Sequence, residues 1–158
     1  MRVITVANRK GGTAKTTTVV NLAYGFAQAN KRVIVLDLDN QGHVMHGLKA
    51  LGCVQQSDIT ELPLNTFFTS IVKCADNIYA TDVDTCNANT NEEITLDVLR
   101  NWCDSEAVTK HFDIVLIDTP PTLSPQLMAA LSAATDIIIP ATPLPLASDG
   151  VQKLLNAC

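Results

Sequence analysis

The segment Lys10-Gly11-Gly12-Thr13-Ala14-Lys15-Thr16-Thr17 puts adjacent glycines, two lysines and several hydroxyls within one short stretch. Its natural chemistry is the grip of a polyphosphate. Glycines let backbone N–H groups approach an anion, and a helix starting directly afterwards aims its positive end at it. Lys15 is placed to reach β- and γ-phosphates, and Thr16 offers a hydroxyl to Mg²⁺. The general phosphate-loop pattern G-x-x-x-x-G-K-[ST] is not met, because Arg9 and Ala14 stand at its glycine positions. Taken alone, the segment also reads as a glycine turn with incidental lysines.

Two further segments strengthen the phosphate reading. Asp37-Leu38-Asp39 directly follows the apolar run Val33–Leu36. Alternation along an extended chain points both carboxylates the same way, toward the phosphate end of the site. Asp118 follows the apolar Ile114–Ile117, where an acidic residue holds magnesium through water beside Thr16. Pro120 and Pro121 stiffen the turn that leaves it. His43 and His46 are three apart, and two solvent-facing loop histidines are the plainer reading than a metal pair.

These groups need strands to carry them. Val3–Ala7 is a β-branched apolar run, Thr16–Ala29 has apolar residues at helical spacing, and Val33–Leu36 is a buried-type strand. Strand, glycine turn, helix and strand make a βαβ unit. Asn40–Gly52 reads as a loop with a short helix, Leu64–Cys74 as a helix and Asn77–Ala80 as a short strand. Asp82–Asn91 is turn-like, and Glu93–Cys103 has helical spacing that puts Trp102 in the core. Asp113–Ile117 is a strand, Ser124–Ala134 a helix capped by Ser124, Ile137–Ile139 a buried strand, and Ala147–Asn156 a helix. Alternating β and α segments predict a doubly wound, mainly parallel α/β sheet of about five strands. In such a sheet ligands bind beyond the carboxyl ends of the strands. Asn8–Thr16, Asp37–Gly42 and Asp118–Pro121 all follow strands, so one rim gathers them.

Composition sets the class. The 158 residues suit one domain covering 1–158, and 47% hydrophobic against 17% charged residues describes a globular chain. Aromatics are only 4%, so the core is built from Val, Ile, Leu and Ala. The net charge is −5, unevenly spread. Arg2, Arg9, Lys10, Lys15, Lys31 and Arg32 lie near the start, while Lys153 is the only lysine or arginine after Lys110. The second half therefore lacks the basic stripe of a DNA-binding surface. Cys53, Cys74, Cys86, Cys103 and Cys158 form no CxxC pair and read as reduced thiols. No export signal and no run long enough to span a membrane is seen, which predicts a cytoplasmic protein.

Lys10–Thr16 resembles the deviant phosphate loop of the ParA/MinD ATPases, K-G-G-x-x-K-[ST]. Val35–Gly42 resembles that family's L-I-D-x-D-P-Q-G segment, and Asp113–Pro121 its Walker B strand. The forms around Asp37–Gly42 and Asp118–Pro121 favour the ParA branch. The resemblance runs the whole length and is weakest between Ala50 and Asn91. It implies a P-loop fold and an ATPase that binds ATP or ADP with Mg²⁺ on Lys10, Gly11, Gly12, Thr13, Ala14, Lys15, Thr16 and Thr17. It implies that Lys10 reaches the phosphates of the partner in an ATP-dependent homodimer, and that Lys15 and Thr16 serve their own subunit. Asp39 matches the residue that positions the attacking water, and Asp37 and Asp118 match the magnesium-side carboxylates. Slow turnover stimulated by a partner protein is expected, with nonspecific DNA binding by the dimer in plasmid or chromosome partition or cargo positioning. Ala14 and Asn40 depart from the usual glycine and proline. The family is longer, which implies a domain lacking its C-terminal part, a sheet edge left open, and DNA contacts beyond these residues.

Other functions compete. A nucleotide-binding regulator or relic without effective hydrolysis fits the shorter length, but intact Lys10, Lys15, Asp39 and Asp118 argue against it. A membrane-surface ATPase of the MinD kind needs a basic amphipathic C-terminal helix, and Val151–Cys158 is short with one lysine. The iron–sulfur carriers of the same superfamily use paired cysteines, and none follows Asp118 closely.

Overall fold

In the computed structural model, the described residues are 1–39, 41–50, 55–56, 59, 71–81, 96–142 and 147–155. They form strands β1 (Arg2–Val6), β2 (Val33–Asp37), β3 (Gln55–Gln56), β4 (Ile71–Ala75), β5 (Ile78–Thr81), β6 (Ile114–Asp118) and β7 (Asp136–Ile138). The helices are α1 (Lys15–Gln28), α2 (His43–Lys49), α3 (Leu96–Asp104), α4 (Glu106–His111), α5 (Pro125–Ala133) and α6 (Ala147–Leu155).

The sheet order is β3-β4-β5-β2-β6-β1-β7. From β5 to β7 all neighbours are parallel, while β3 and β4 are antiparallel additions at one edge. The central strands are apolar throughout because both faces are covered. On one face Ile34, Leu36, Val115 and Ile117 pack with Trp102 and Leu99 of α3 and Ala129 and Ala130 of α5. On the other, Ile4, Val6, Val35 and Leu116 pack with Val19 and Ala23 of α1 and Val44 and Leu48 of α2. The fold is a doubly wound α/β sheet of the P-loop type.

Helix ends follow local chemistry. Ser124 caps α5, its hydroxyl accepting from the Leu127 N–H, and Pro125 takes the first helical position. α1 ends with Asn30 in the left-handed region (φ 57), where the Asn30 N–H donates to Ala27 O and the Lys31 N–H to Phe26 O.

Three expectations are corrected. The sheet has seven strands among the described residues, not about five. Ile71–Ala75, the end of the segment read as a helix, is strand β4. Buried Ile71 and Cys74 are three apart, which also fits a helix, but the turn at Asp76-Asn77, with Asn77 at φ 61, folds the chain into a hairpin with β5. Finally, β7 is not buried: among the described residues it pairs with β1 alone, and Ile137 is 42% exposed there. Trp102 is core, as expected, and Cys74 and Cys103 are buried free thiols. Asp82–Asn91, Asn40, Cys53, Cys86 and Cys158 lie outside the described residues.

Candidate phosphate and magnesium site

β1, β6 and β2 lie side by side and end on one rim, with Val6 opposite Asp118 and Asp118 opposite Asp37. The chain leaving β1 forms the loop from Asn8 to Ala14 and enters α1 at Lys15. Gly12 (φ 72) and Ala14 (φ 63, ψ 30) both take left-handed backbone, a conformation found in anion-binding turns. Ala14 holds this conformation without the freedom of glycine. Lys15 and Thr13 are buried, and the Thr13 hydroxyl donates to Lys10 O at 3.2 Å.

The first turn of α1, directly after the loop, touches β6. The Thr16 hydroxyl donates to Asp118 Oδ2 at 2.6 Å, and Asp118 Oδ1 accepts from its neighbour Thr119 N–H at 3.1 Å. Asp37 is also buried: Oδ1 accepts from the Asp39 N–H (3.0 Å) and Oδ2 from the Val44 N–H (3.2 Å). Val44 is in the first turn of α2, whose capping residue Gly42 has no side chain, so Asp37 serves that helix end.

Two carboxylates this close and this buried disfavour their charged forms. Burial, then the charge of Asp118, pushes Asp37 up to about 7, against the pull of its two backbone donors. Burial likewise raises Asp118, opposed by the Thr16 hydrogen bond and the Lys15 charge. Such a pair fits a divalent cation, which would relieve the repulsion. Thr16 and Asp118 present hard oxygen atoms, the donor set magnesium takes, and that ion binds through one or two carboxylates with substrate phosphates. Among the described residues no cluster of three or more His, Cys, Asp or Glu side chains could form a cage for a metal.

A cavity of about 590 Å³ opens over the loop, lined by Gly11 to Thr17, by Val20 and Asn21 of α1, by Asp39, by His43 and Gly47 of α2, and by Pro121. The expected orientation of the two aspartates is corrected. Asp39 lines the cavity, while Asp37 turns inward to the start of α2, because β2 and its alternation end at Asp37 and Asp39 lies beyond the strand. Lys10 is half-buried and does not line the cavity. The histidines are corrected from loop to helix: both are exposed on α2, His43 at the cavity wall and His46 Nδ1 3.2 Å from Gly42 O.

Sequence reasoning left the parts played by Gly47 and Asn8 unread. Gly47 lets α2 lie on α1, since a Cβ there would sit 2.8 Å from Val20 Cγ2. Asn8, buried just past β1, binds Pro140 O and the Lys10 N–H. A polar residue directly following a buried strand was the available signal for Asn8. Gly47 gave none, because its contact is with a different helix.

A family model described as an AAA domain matches residues 1–158. The chromosome-partitioning ATPase Soj of Thermus thermophilus is 34% identical over 98% of this chain, which covers 60% of Soj. Among solved structures, apo McdA from Cyanthece superposes with a TM-score of 0.73 at 24% identity, over 99% of this chain and 64% of that one. Cobyrinic acid a,c-diamide synthase from Mycobacterium smegmatis, with bound ATP analogue and magnesium, has a TM-score of 0.67 at 28% identity, over 99% and 66% of the two chains.

Proposed function

The chain belongs to the AAA-domain family that includes the ParA and Soj partition ATPases, and from that membership we propose that it binds and slowly hydrolyses ATP. The observation that carries this reading is the 2.6 Å hydrogen bond from Thr16 to Asp118, beneath a left-handed loop of backbone donors. The chain spans 60% of the length of its relative Soj, so activity and partners of the whole protein belong to this proposal.

The nucleotide phosphates lie over Gly11–Thr17, held by backbone N–H groups and by the Lys15 ammonium. Thr16 and Asp118 would hold the magnesium side, with Asp37 buried beside Asp118 behind them. Magnesium, when bound, neutralises charge on the β- and γ-phosphates. Asp39, on the cavity wall, orients the attacking water. Phosphoryl transfer asks the protein mainly for positioning and charge stabilisation. Lys10, which does not line its own cavity, serves the phosphates of a second copy in this reading, so ATP would assemble a homodimer. That dimer binds DNA nonspecifically, and a partner protein stimulates its hydrolysis, in partition of a plasmid or chromosome or in cargo positioning. Among the described residues no helix is long and apolar enough to cross a membrane. The proposed place of the dimer is the cytoplasm, on DNA.

Size-exclusion chromatography with light scattering, in ATP·Mg²⁺ and in ADP, tests this reading. A dimer specific to ATP supports it. A monomer in both, with nucleotide bound, would reassign the chain to a binding module without an ATPase cycle.

A further inference from the structure

Asn8 is 1% exposed and joins the loop after β1 to two segments more than a hundred residues later. Its Oδ1 accepts the Lys10 N–H at 3.0 Å, and its Nδ2 donates to Pro140 O, just after β7, at 2.8 Å. Gly150 of α6 forms the third wall. A Cβ at Gly150 would fall 2.6 Å from Asn8 Oδ1 and 3.2 Å from Lys10 Cβ. Lys10 is thus held from both sides, because its carbonyl also receives the Thr13 hydroxyl.

We propose that Asn8 is a positioning residue whose amide, backed by Gly150, clamps the backbone at Lys10 to the exit of β7 and fixes where the Lys10 side chain leaves the loop. The chemistry requires an asparagine. One atom must accept from an N–H and the other donate to a carbonyl, and a carboxylate or an aliphatic chain fails at one or both. The clamp links the phosphate loop to α6, so any load on α6 is felt at Lys10. The inference rests on the proposed role of Lys10 across the dimer, but the clamp itself is measurable without a dimer.

Asn8→Ala, Asn8→Asp and Gly150→Ala are compared with the unaltered chain by hydrogen exchange, nucleotide binding and ATP-dependent dimerisation. Loss of a buried hydrogen-bonding partner should raise exchange at the Lys10 amide by about tenfold in Asn8→Ala. Asn8→Asp should keep the Lys10 amide protected, since its carboxylate still accepts. Gly150→Ala should reproduce Asn8→Ala without altering the asparagine, while the exchange of β6 stays unchanged in every variant. Dimerisation should weaken by about tenfold in Asn8→Ala and Gly150→Ala, with monomer nucleotide affinity nearly unaltered. Unchanged exchange at Lys10 in both variants overturns the clamp. Raised exchange with undiminished dimerisation overturns its effect on Lys10 reach. If the unaltered chain forms no ATP dimer, the proposed function falls, and the exchange comparison alone decides the clamp.

Discussion

Asp37 and Asp118 stand directly opposite each other at the ends of adjacent parallel strands, both buried, with only Asp118 reached by the Thr16 hydroxyl. The sheet register that makes β2 and β6 neighbours therefore also creates a charge conflict that a cation would resolve. Sequence alone placed each carboxylate at a strand end, but not side by side.

The first prediction concerns pH. Asp37 titrates near 7 when folded and near 3.8 when unfolded, so the folded chain retains a proton that the unfolded chain releases. The stabilisation is fully present below about 3.8 and is lost as pH rises through about 7, amounting to a few kcal/mol at most. Urea unfolding of the nucleotide-free chain between pH 5 and 8 should show stability falling with rising pH. Magnesium with ATP should flatten the curve. A flat profile without ligand would show that Asp37 is ionised throughout.

How much was legible follows from which forces act locally. β1, β2 and β6 were readable because burial on both faces leaves unbroken apolar runs. Ile137–Ile139 has the same apolar character, yet whether a neighbour strand covers it depends on the rest of the sheet. β4 was lost because the three-residue spacing of Ile71 and Cys74 reads as helical, whereas its hairpin with β5 sends the two to opposite faces of the sheet. The loop and its lysines were readable from glycine and charge. The inward turn of Asp37 was not, since it depends on where the Val44 N–H falls after Gly42.

A second prediction concerns Ala14, which holds φ 63 at the entrance to α1. Left-handed backbone costs an alanine roughly 1–2 kcal/mol, partly offset by the greater unfolded freedom of glycine. Ala14→Gly should therefore stabilise the chain by about 1 kcal/mol, read as a higher urea midpoint with an unchanged slope. Destabilisation would mean that the methyl makes a favourable contact.

Helix packing supplies a third. Gly47→Ala drives a methyl to 2.8 Å from Val20 Cγ2, separating α2 from α1. A net loss of about 1 kcal/mol is expected, although alanine favours the helix itself. Adding Val20→Ala should make the pair less destabilised than the sum of the two changes, a coupling of about 0.5 kcal/mol or more. Strict additivity in the double-mutant cycle would remove the contact from the argument.

The fourth separates the charged residues by role. Lys15→Ala should lose nucleotide affinity. Lys10→Ala should keep monomer ATP binding and abolish the ATP-dependent dimer. Asp39→Ala should bind ATP and lose turnover, by about a hundredfold or more if it orients the water. Fluorescent nucleotide titration, light scattering and phosphate release distinguish the three. Normal turnover by Asp39→Ala, or a normal dimer from Lys10→Ala, would remove the assigned role.

β1 carries a final consequence, for the order of events during synthesis. It is the first strand made, yet both of its partners come more than a hundred residues later, at Ile114–Asp118 and Asp136–Ile138. Pairing across such sequence separation is slow, because chain closure precedes the contacts that reward it. β1 thus has no neighbouring strand until β6 has been made. The loop suspended between Val6 and Lys15 takes shape only when β6 and β7 have joined β1, so under the proposed function a nucleotide would stabilise the assembled sheet and not its early intermediates.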